Sequence, residues 1–323
     1  MNGIDRLRIA LVGLGERGQF HLETLLLRED CEVVLAVDPR QEIRERWRGQ
    51  IPRLEAALNS ETLKSERVDV VWLATPDPAL PGLLDMAIRS RCALVLEPWL
   101  QSFGGQIEHQ LEWAESEGCL VVVHLPHREF PEFRRALQIR KSGRLGQLRH
   151  LSRCIWQLSP RLPGGSSWLA LARQVGPWLD QALRLAGAEG RVVWSRHEGC
   201  LDEGGNGPDQ PMERPGGVQI LLEFGSELVG WLDLQWQAPA AWDSGWRLRG
   251  TEGVWQPTGG TLASPSGELL EFRSEEPGPD LDGAYDGIVQ SLRRQGPNPG
   301  EWRDVAQLGR LLRQILQGAA PAT

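Results

Sequence analysis

The chain has 323 residues, 41% of them hydrophobic and 24% charged, enough for two domains with cores of their own and unlike a disordered or fibrous polymer. The formal net charge of -8, with no basic cluster interleaved with aromatics, argues against nucleic acid as a partner, and no apolar run has the length to cross a bilayer. Five cysteines (Cys31, Cys92, Cys119, Cys154 and Cys200) are scattered without a CxxC pair, and MNGIDRLR leads into the first apolar run without an export signal, so the expectation is a soluble, cytoplasmic protein with reduced thiols.

The first elements organise the rest. A mostly apolar run, Leu7 to Val12, is followed by Gly13, Gly15 and Gly18, a helix-patterned segment and a second apolar run ending in Asp38. In the dinucleotide fingerprint each glycine has its own reason: Gly13 for a tight turn, Gly15 for backbone approach to a pyrophosphate, Gly18 for close packing of helix on strand. The helix amino end, reached through Glu16 and Arg17, offers unpaired NH groups and a positive dipole to an anion. Asp38, about 20 residues past the last glycine, is placed to accept hydrogen bonds from an adenosine ribose, which favours NAD. Arg40 either pairs with a ribose phosphate, which admits NADP, or is a solvated surface arginine. A lone glycine pattern also fits an ordinary strand-to-helix loop, but here the strand, helix and terminal acid all agree with it.

Further along, QEIRERWRG reads as a short helix and Ile51 to Asn59 as another. Val68 to Thr75 is a buried strand whose loop, Thr75, Pro76 and Asp77, would line the cofactor cleft at the strand's carboxyl end. A helix over Leu80 to Ser90, a strand Ala93 to Glu97, a helix around Gln106 to Glu117, a strand Cys119 to His124 and a helix from about Pro131 continue the alternation. This spacing predicts a Rossmann-type, doubly wound parallel sheet over 1–125. From Gln147 strands dominate: one over LRHLSRCIWQLSP, then, after a helix at Trp168 to Ala186, Arg191 to Arg196, Val218 to Phe224, Leu228 to Trp236 and Trp246 onward. Residues 126–323 therefore read as an α+β domain with a largely antiparallel sheet. The glycine- and proline-rich stretch between Cys200 and Gly217 reads as a surface loop, and helices at Ala284 to Arg294 and Trp302 to Gln317 are expected to pack back on one of the sheets.

Several local motifs together resemble the Gfo/Idh/MocA, or glucose-fructose oxidoreductase, family over essentially the whole chain. They are the glycine fingerprint, VWLATPDP at a strand end, LVLEPWL where the family has EKPL, HREFPEF ahead of a helix, KSGRLGQL for SGxLG, and RLRGTEGVW for a GTxG turn. The resemblance implies an NAD(P)-dependent oxidoreductase of a small molecule, with Glu97 and Pro98 beside the cofactor and a homo-oligomer formed through the carboxyl-terminal sheet.

The departures bear on chemistry. The family's EKP lysine falls at Pro98, and the only lysines are Lys64 and Lys141, neither in a matching motif. In the family's DxGxH helix Gln174 replaces the aspartate and Trp178 the histidine, with Asp180 matching a later acid. Hydride transfer from a carbinol needs a positioned base, worth roughly 100- to 10,000-fold. Replacement candidates are His124 and, preferably, His127, with Arg128 to orient a carboxylate or phosphate; both histidines also read as hydrogen-bonded interdomain residues. His21 reads as a packing or surface residue, and the cluster Trp231, Trp236, Trp242, Trp246 and Trp255 as core, ligand platform or subunit interface. Biliverdin reductases, which share the implied two-domain fold, depart from the lysine and histidine pattern too. The competing reading is a catalytically inactive dinucleotide-binding or scaffold protein.

Overall fold

The fold is seen in a computed structural model that describes residues 6–75, 79–98, 106–157, 167–198, 216–236, 238, 240–257, 261–263, 281–295 and 297–316. The chain divides into two units, Met1–Leu125 with Ala284–Ala306, and Pro126–Gly283 with Gln307–Thr323.

In the first unit β1 (Leu7–Val12) leads through the glycine turn into α1 (Glu16–Leu26), followed by β2 (Cys31–Val37), α2 (Gln41–Arg46), β3 (Arg53–Glu55), α3 (Ser60–Ser65), β4 (Val70–Leu73), α4 (Leu80–Arg89), β5 (Ala93–Leu96), α5 (Gln106–Ser116) and β6 (Val121–Val123). The strands form one parallel six-stranded sheet in the order β3-β2-β1-β4-β5-β6. That order reverses between β1 and β4, and such a switch point opens a crevice at the strands' carboxyl ends. The four residues of β4 are all buried, as a strand covered on both faces requires. One expectation fails: residues 51–59 are not a helix. Arg53, Leu54 and Glu55 pair in parallel with Leu35, Ala36 and Val37, and Asp38 N donates to Glu55 O at 3.1 Å. The helical preference of LEAAL yields to that edge pairing, and the helix starts later, where Asn59 caps α3 by accepting from Thr62 N at 2.8 Å.

The second unit begins with a short 3-10 turn, Pro126–Glu129, then α6 (Pro131–Lys141), β7 (Leu148–Gln157), α7 (Ser167–Ala186), β8 (Gly190–Glu198), β9 (Gly216–Phe224), β10 (Leu228–Trp236), β11 (Trp242–Asp243), β12 (Arg247–Gly250), β13 (Val254–Gln256) and β14 (Thr261–Ala263). Its eight-stranded sheet runs β14-β13-β12-β7-β10-β9-β8, with β11 also on β7. It is mixed rather than wholly antiparallel, because β10 pairs with β7 in parallel. Buried residues alternate along β9 and β10, giving one covered face, against which α7 packs. The stretch 199–215, expected as a loop, lies outside the described residues.

The chain ends with α8 (Leu281–Leu292) and α9 (Trp302–Leu316). Tyr285, Ile288 and Val289 of α8 enter the same apolar core as Ile9, Leu11, Leu22 and Trp72, so this helix packs back on the first sheet. Beyond it, Val123 N donates to Gly300 O at 2.7 Å and Asn298 Nδ2 to Val121 O at 2.8 Å, covering the outer edge of β6. Among the described residues no helix is long and apolar enough to cross a membrane.

Candidate functional site

The glycine turn joins β1 to α1 beside the end of β4. Gly13 has φ +90, and a Cβ there would lie 2.6 Å from Ala74 O; a Cβ on Gly18 would lie 1.8 Å from Gly13 O. Both positions are closed to any other residue. Gly15 differs: it is the N-cap of α1 with no side-chain cap, and a Cβ there would meet nothing within 4 Å. Its bareness leaves open room at the positive end of a helix, where an anion is favoured. Thr75, just past β4, is buried, and its Oγ1 has no hydrogen-bond partner among the described residues. These residues fit the pyrophosphate end of a dinucleotide. Glu16 is exposed in the first turn of α1, where its carboxylate competes for the same dipole. Pro76 and Asp77 lie outside the described residues.

Asp38 is buried at the end of β2, but its carboxylate is already saturated. Oδ1 accepts from Arg40 N at 3.0 Å and Arg40 Nε at 2.9 Å, and Oδ2 from Leu14 N at 2.8 Å and Arg40 Nη2 at 2.9 Å. A carboxylate offers about four acceptor positions. Burial pushes the Asp38 carboxyl up, but these bonds outweigh it and leave the group below its usual range. A ribose hydroxyl reaching Asp38 would therefore compete with Arg40 for the carboxylate. Arg40, in turn, is an exposed surface arginine, but its fork is engaged by Asp38.

Glu97, one residue past β5, is buried and does not stand open to a ligand. Its Oε2 accepts from Arg17 Nε at 3.1 Å and Nη2 at 2.9 Å, and its Oε1 lies 2.6 Å from His21 Nε2. The other His21 nitrogen, Nδ1, lies 2.6 Å from Tyr285 Oη. His21 is thus no surface or simple packing residue but a completely buried, doubly hydrogen-bonded one, a role its helical position did not reveal. His124, just past β6, is buried beside them, with Nδ1 3.3 Å from Glu97 Oε1 but outside hydrogen-bond geometry. Burial alone would raise the Glu97 carboxyl, yet the two histidines hold it well below the usual range, whereas burial pushes the His124 imidazole down. Pro98 follows, where the family motif has lysine.

In the second unit the structure brings together residues from two separate motifs. His127 Nε2 lies 2.8 Å from Asp180 Oδ2, and Arg128 grips the same carboxylate through Nε at 2.8 Å and Nη2 at 2.6 Å. Burial would raise Asp180, but the charge of Arg128, with its hydrogen bonds and that of His127, holds the carboxyl far below its ordinary value. Gln181 donates to His127 O and accepts from Trp246 Nε1 at 2.7 Å. Arg128 therefore does not offer its fork to a substrate carboxylate, as expected from sequence, because Asp180 holds it. Trp178, where the motif histidine would stand, lies under the Arg153 guanidinium, 4.3 Å from ring centre to Cζ, and Gln174 is partly buried one turn earlier on α7.

Trp236, Trp246 and Trp255 are buried, whereas Trp231 stacks on Trp194 with ring centres 5.9 Å apart and Trp242 contacts Trp156 at 5.3 Å.

No protein-family model matches the chain, and no curated protein matches it significantly. Solved structures do resemble it. An oxidoreductase from Agrobacterium radiobacter, solved with NAD+, L-tartaric acid and magnesium, has 15% identity and a TM-score of 0.75 over 97% of this chain and 96% of that one. GenD2 from gentamicin A biosynthesis, in complex with NAD, has 17% identity and a TM-score of 0.72 over 99% and 95%. An oxidoreductase from Bacillus cereus has 15% identity and a TM-score of 0.75 over 98% and 97%. Likeness at this identity establishes a shared two-part fold along the full length.

Proposed function

We propose that the protein is a nicotinamide-dinucleotide-dependent oxidoreductase of the Gfo/Idh/MocA type acting on a small molecule, with acid-base residues other than that family's lysine and histidine. The observation that carries this reading is the bare helix end at Gly15, between two glycines that the backbone itself demands at Gly13 and Gly18. Main-chain NH groups of the first turn of α1 would bind the pyrophosphate, with Thr75 Oγ1 as a further uncommitted donor beside them. Asp38 would take the adenosine ribose once Arg40 swings off it, which makes NAD the preferred form; Arg40 turned to a ribose phosphate is what would admit NADP. The NAD complexes among the similar structures support the cofactor class. Bound there, the nicotinamide supplies or accepts the hydride.

For the proton we assign His127. Asp180 fixes the ring through Nε2 and leaves Nδ1, which makes no hydrogen bond among the described residues, to exchange with a substrate. Pro98 and Trp178 have no titratable proton to offer. Self-association through the second sheet is part of the same reading, supported by the exposed Trp156 and Trp242. Burial pushes the thiols of Cys31 and Cys92 up to about 12, which keeps them protonated and unreactive.

One observation favours a second reading, a dinucleotide-binding protein without turnover: Arg128 and Asp180 are closed on one another, and Trp178 is held under Arg153. Calorimetric titration with NADH and NADPH, followed by a substrate screen at the nicotinamide absorbance, separates the two. Binding of neither dinucleotide would overturn both readings; binding without turnover on any sugar, polyol or imine would favour the second.

A further inference from the structure

His21 reaches in from α1, Glu97 from the end of β5 and His124 from the end of β6, and the three meet in the first unit, where both histidine rings pack beside the stacked pair Trp72 and Tyr285. A hydrogen-bonded acid and histidine would account for two of them. It leaves the third unexplained, because His124 is 1% exposed and neither of its ring nitrogens has a hydrogen-bond partner among the described residues. Buried polar groups are normally satisfied, and an orphan of this kind calls for a missing water, ion or role. One donor atom from each residue, two imidazole nitrogens and a carboxylate oxygen, lie within 4.8 Å of one another.

We propose that His21, Glu97 and His124 form a binding site for a divalent transition-metal ion, with zinc the ion best matched to the ligands. Two imidazoles and one carboxylate are a set zinc takes readily; magnesium and calcium require mostly oxygen, and copper(I) prefers sulfur. The ion replaces the proton now shared between His21 Nε2 and Glu97 Oε1, 2.6 Å apart, and draws in the bare His124 nitrogen, so that all three groups are satisfied at once. Outer partners are already in position. A metal-bound histidine donates its other NH to an acceptor, and Tyr285 Oη stands 2.6 Å from His21 Nδ1; the second oxygen of Glu97 is fixed by Arg17. Because the ligands are buried, the ion acts as a fastening of α1 to the ends of β5 and β6. The proposal stands on the first unit alone and does not depend on the oxidoreductase reading.

The test uses the full chain, stripped with EDTA and titrated with zinc chloride, with X-ray absorption at the zinc edge of the loaded wild-type protein. The expected result is one ion per chain, an edge showing two imidazoles and no sulfur, and a thermal midpoint that rises with zinc and falls back with EDTA. His124→Ala should weaken binding by more than the roughly 10- to 100-fold typical of losing an outer-shell partner. No stoichiometric binding, a sulfur-dominated edge, or unchanged affinity in His124→Ala would overturn the proposal; if that variant fails to fold, the wild-type edge decides alone.

Discussion

A Cβ placed on Gly18 would stand 1.8 Å from the main-chain oxygen of Gly13, whereas three residues earlier a Cβ on Gly15 would touch nothing. The two glycines are therefore required for different reasons. Gly18→Ala forces backbone apart and should cost about 1–3 kcal/mol or more in urea denaturation. Gly15→Ala should stay within about 1 kcal/mol of wild type yet bind NADH at least tenfold more weakly, on the order of a lost close approach. Equal NADH affinity in Gly15→Ala would mean the pyrophosphate lies elsewhere.

Arg40 occupies three of the four hydrogen bonds that Asp38 accepts. Arg40→Ala removes the two from the guanidinium and keeps the main-chain one, so it should tighten NADH several-fold and weaken NADPH, while Asp38→Ala should weaken NADH. Calorimetry on both variants checks this, and a parallel gain for both cofactors in Arg40→Ala would refute Arg40 as the discriminating group.

His127→Ala should abolish turnover while leaving cofactor affinity within about twofold, on the scale of roughly 0.4 kcal/mol. Unchanged steady-state rates would remove His127 as the proton carrier.

Asp180→Asn should destabilise the fold by about 3–5 kcal/mol, because it removes the charged member of a buried ion pair that Arg128 and His127 both hold. The same pair sets a pH dependence. Asp180 is more acidic folded than unfolded, so its contribution is complete above the ordinary carboxylate pKa and is lost as pH falls through and below that range. Denaturation midpoints between pH 7 and 3 should fall on acidification, with a shallower fall in Asp180→Asn; identical slopes would show that Asp180 does not carry the effect.

The parallel sheet was legible because its strands announce themselves as apolar runs and its first turn by glycines, two of which, Gly13 and Gly18, no other residue can replace. The failure at 51–59 came from reading local helix preference where Arg53 to Glu55 are recruited by β2. At the site, one sequence motif singled out His127 with Arg128 and another Asp180, and only the fold showed that Asp180 engages the guanidinium of Arg128. His21 was hidden for a similar reason. Its partners Glu97 and Tyr285 stand 76 and 264 residues away, and no local pattern signals a contact of that range. A lone buried histidine on a helix becomes informative only with those neighbours in view.

Residues 284–306 complete the first unit by filling its core with Tyr285, Ile288 and Val289 and by covering β6 at Gly300. A ribosome making this protein therefore releases the amino-terminal half long before that half can close. Until the last tenth or so of the message is translated, β6 presents a raw hydrogen-bonding edge of the kind that recruits other strands. Anyone dissecting the protein at residue 125 recreates that unfinished intermediate. A soluble amino-terminal half has to carry the distant segment with it, spliced on by a linker or supplied as a second chain.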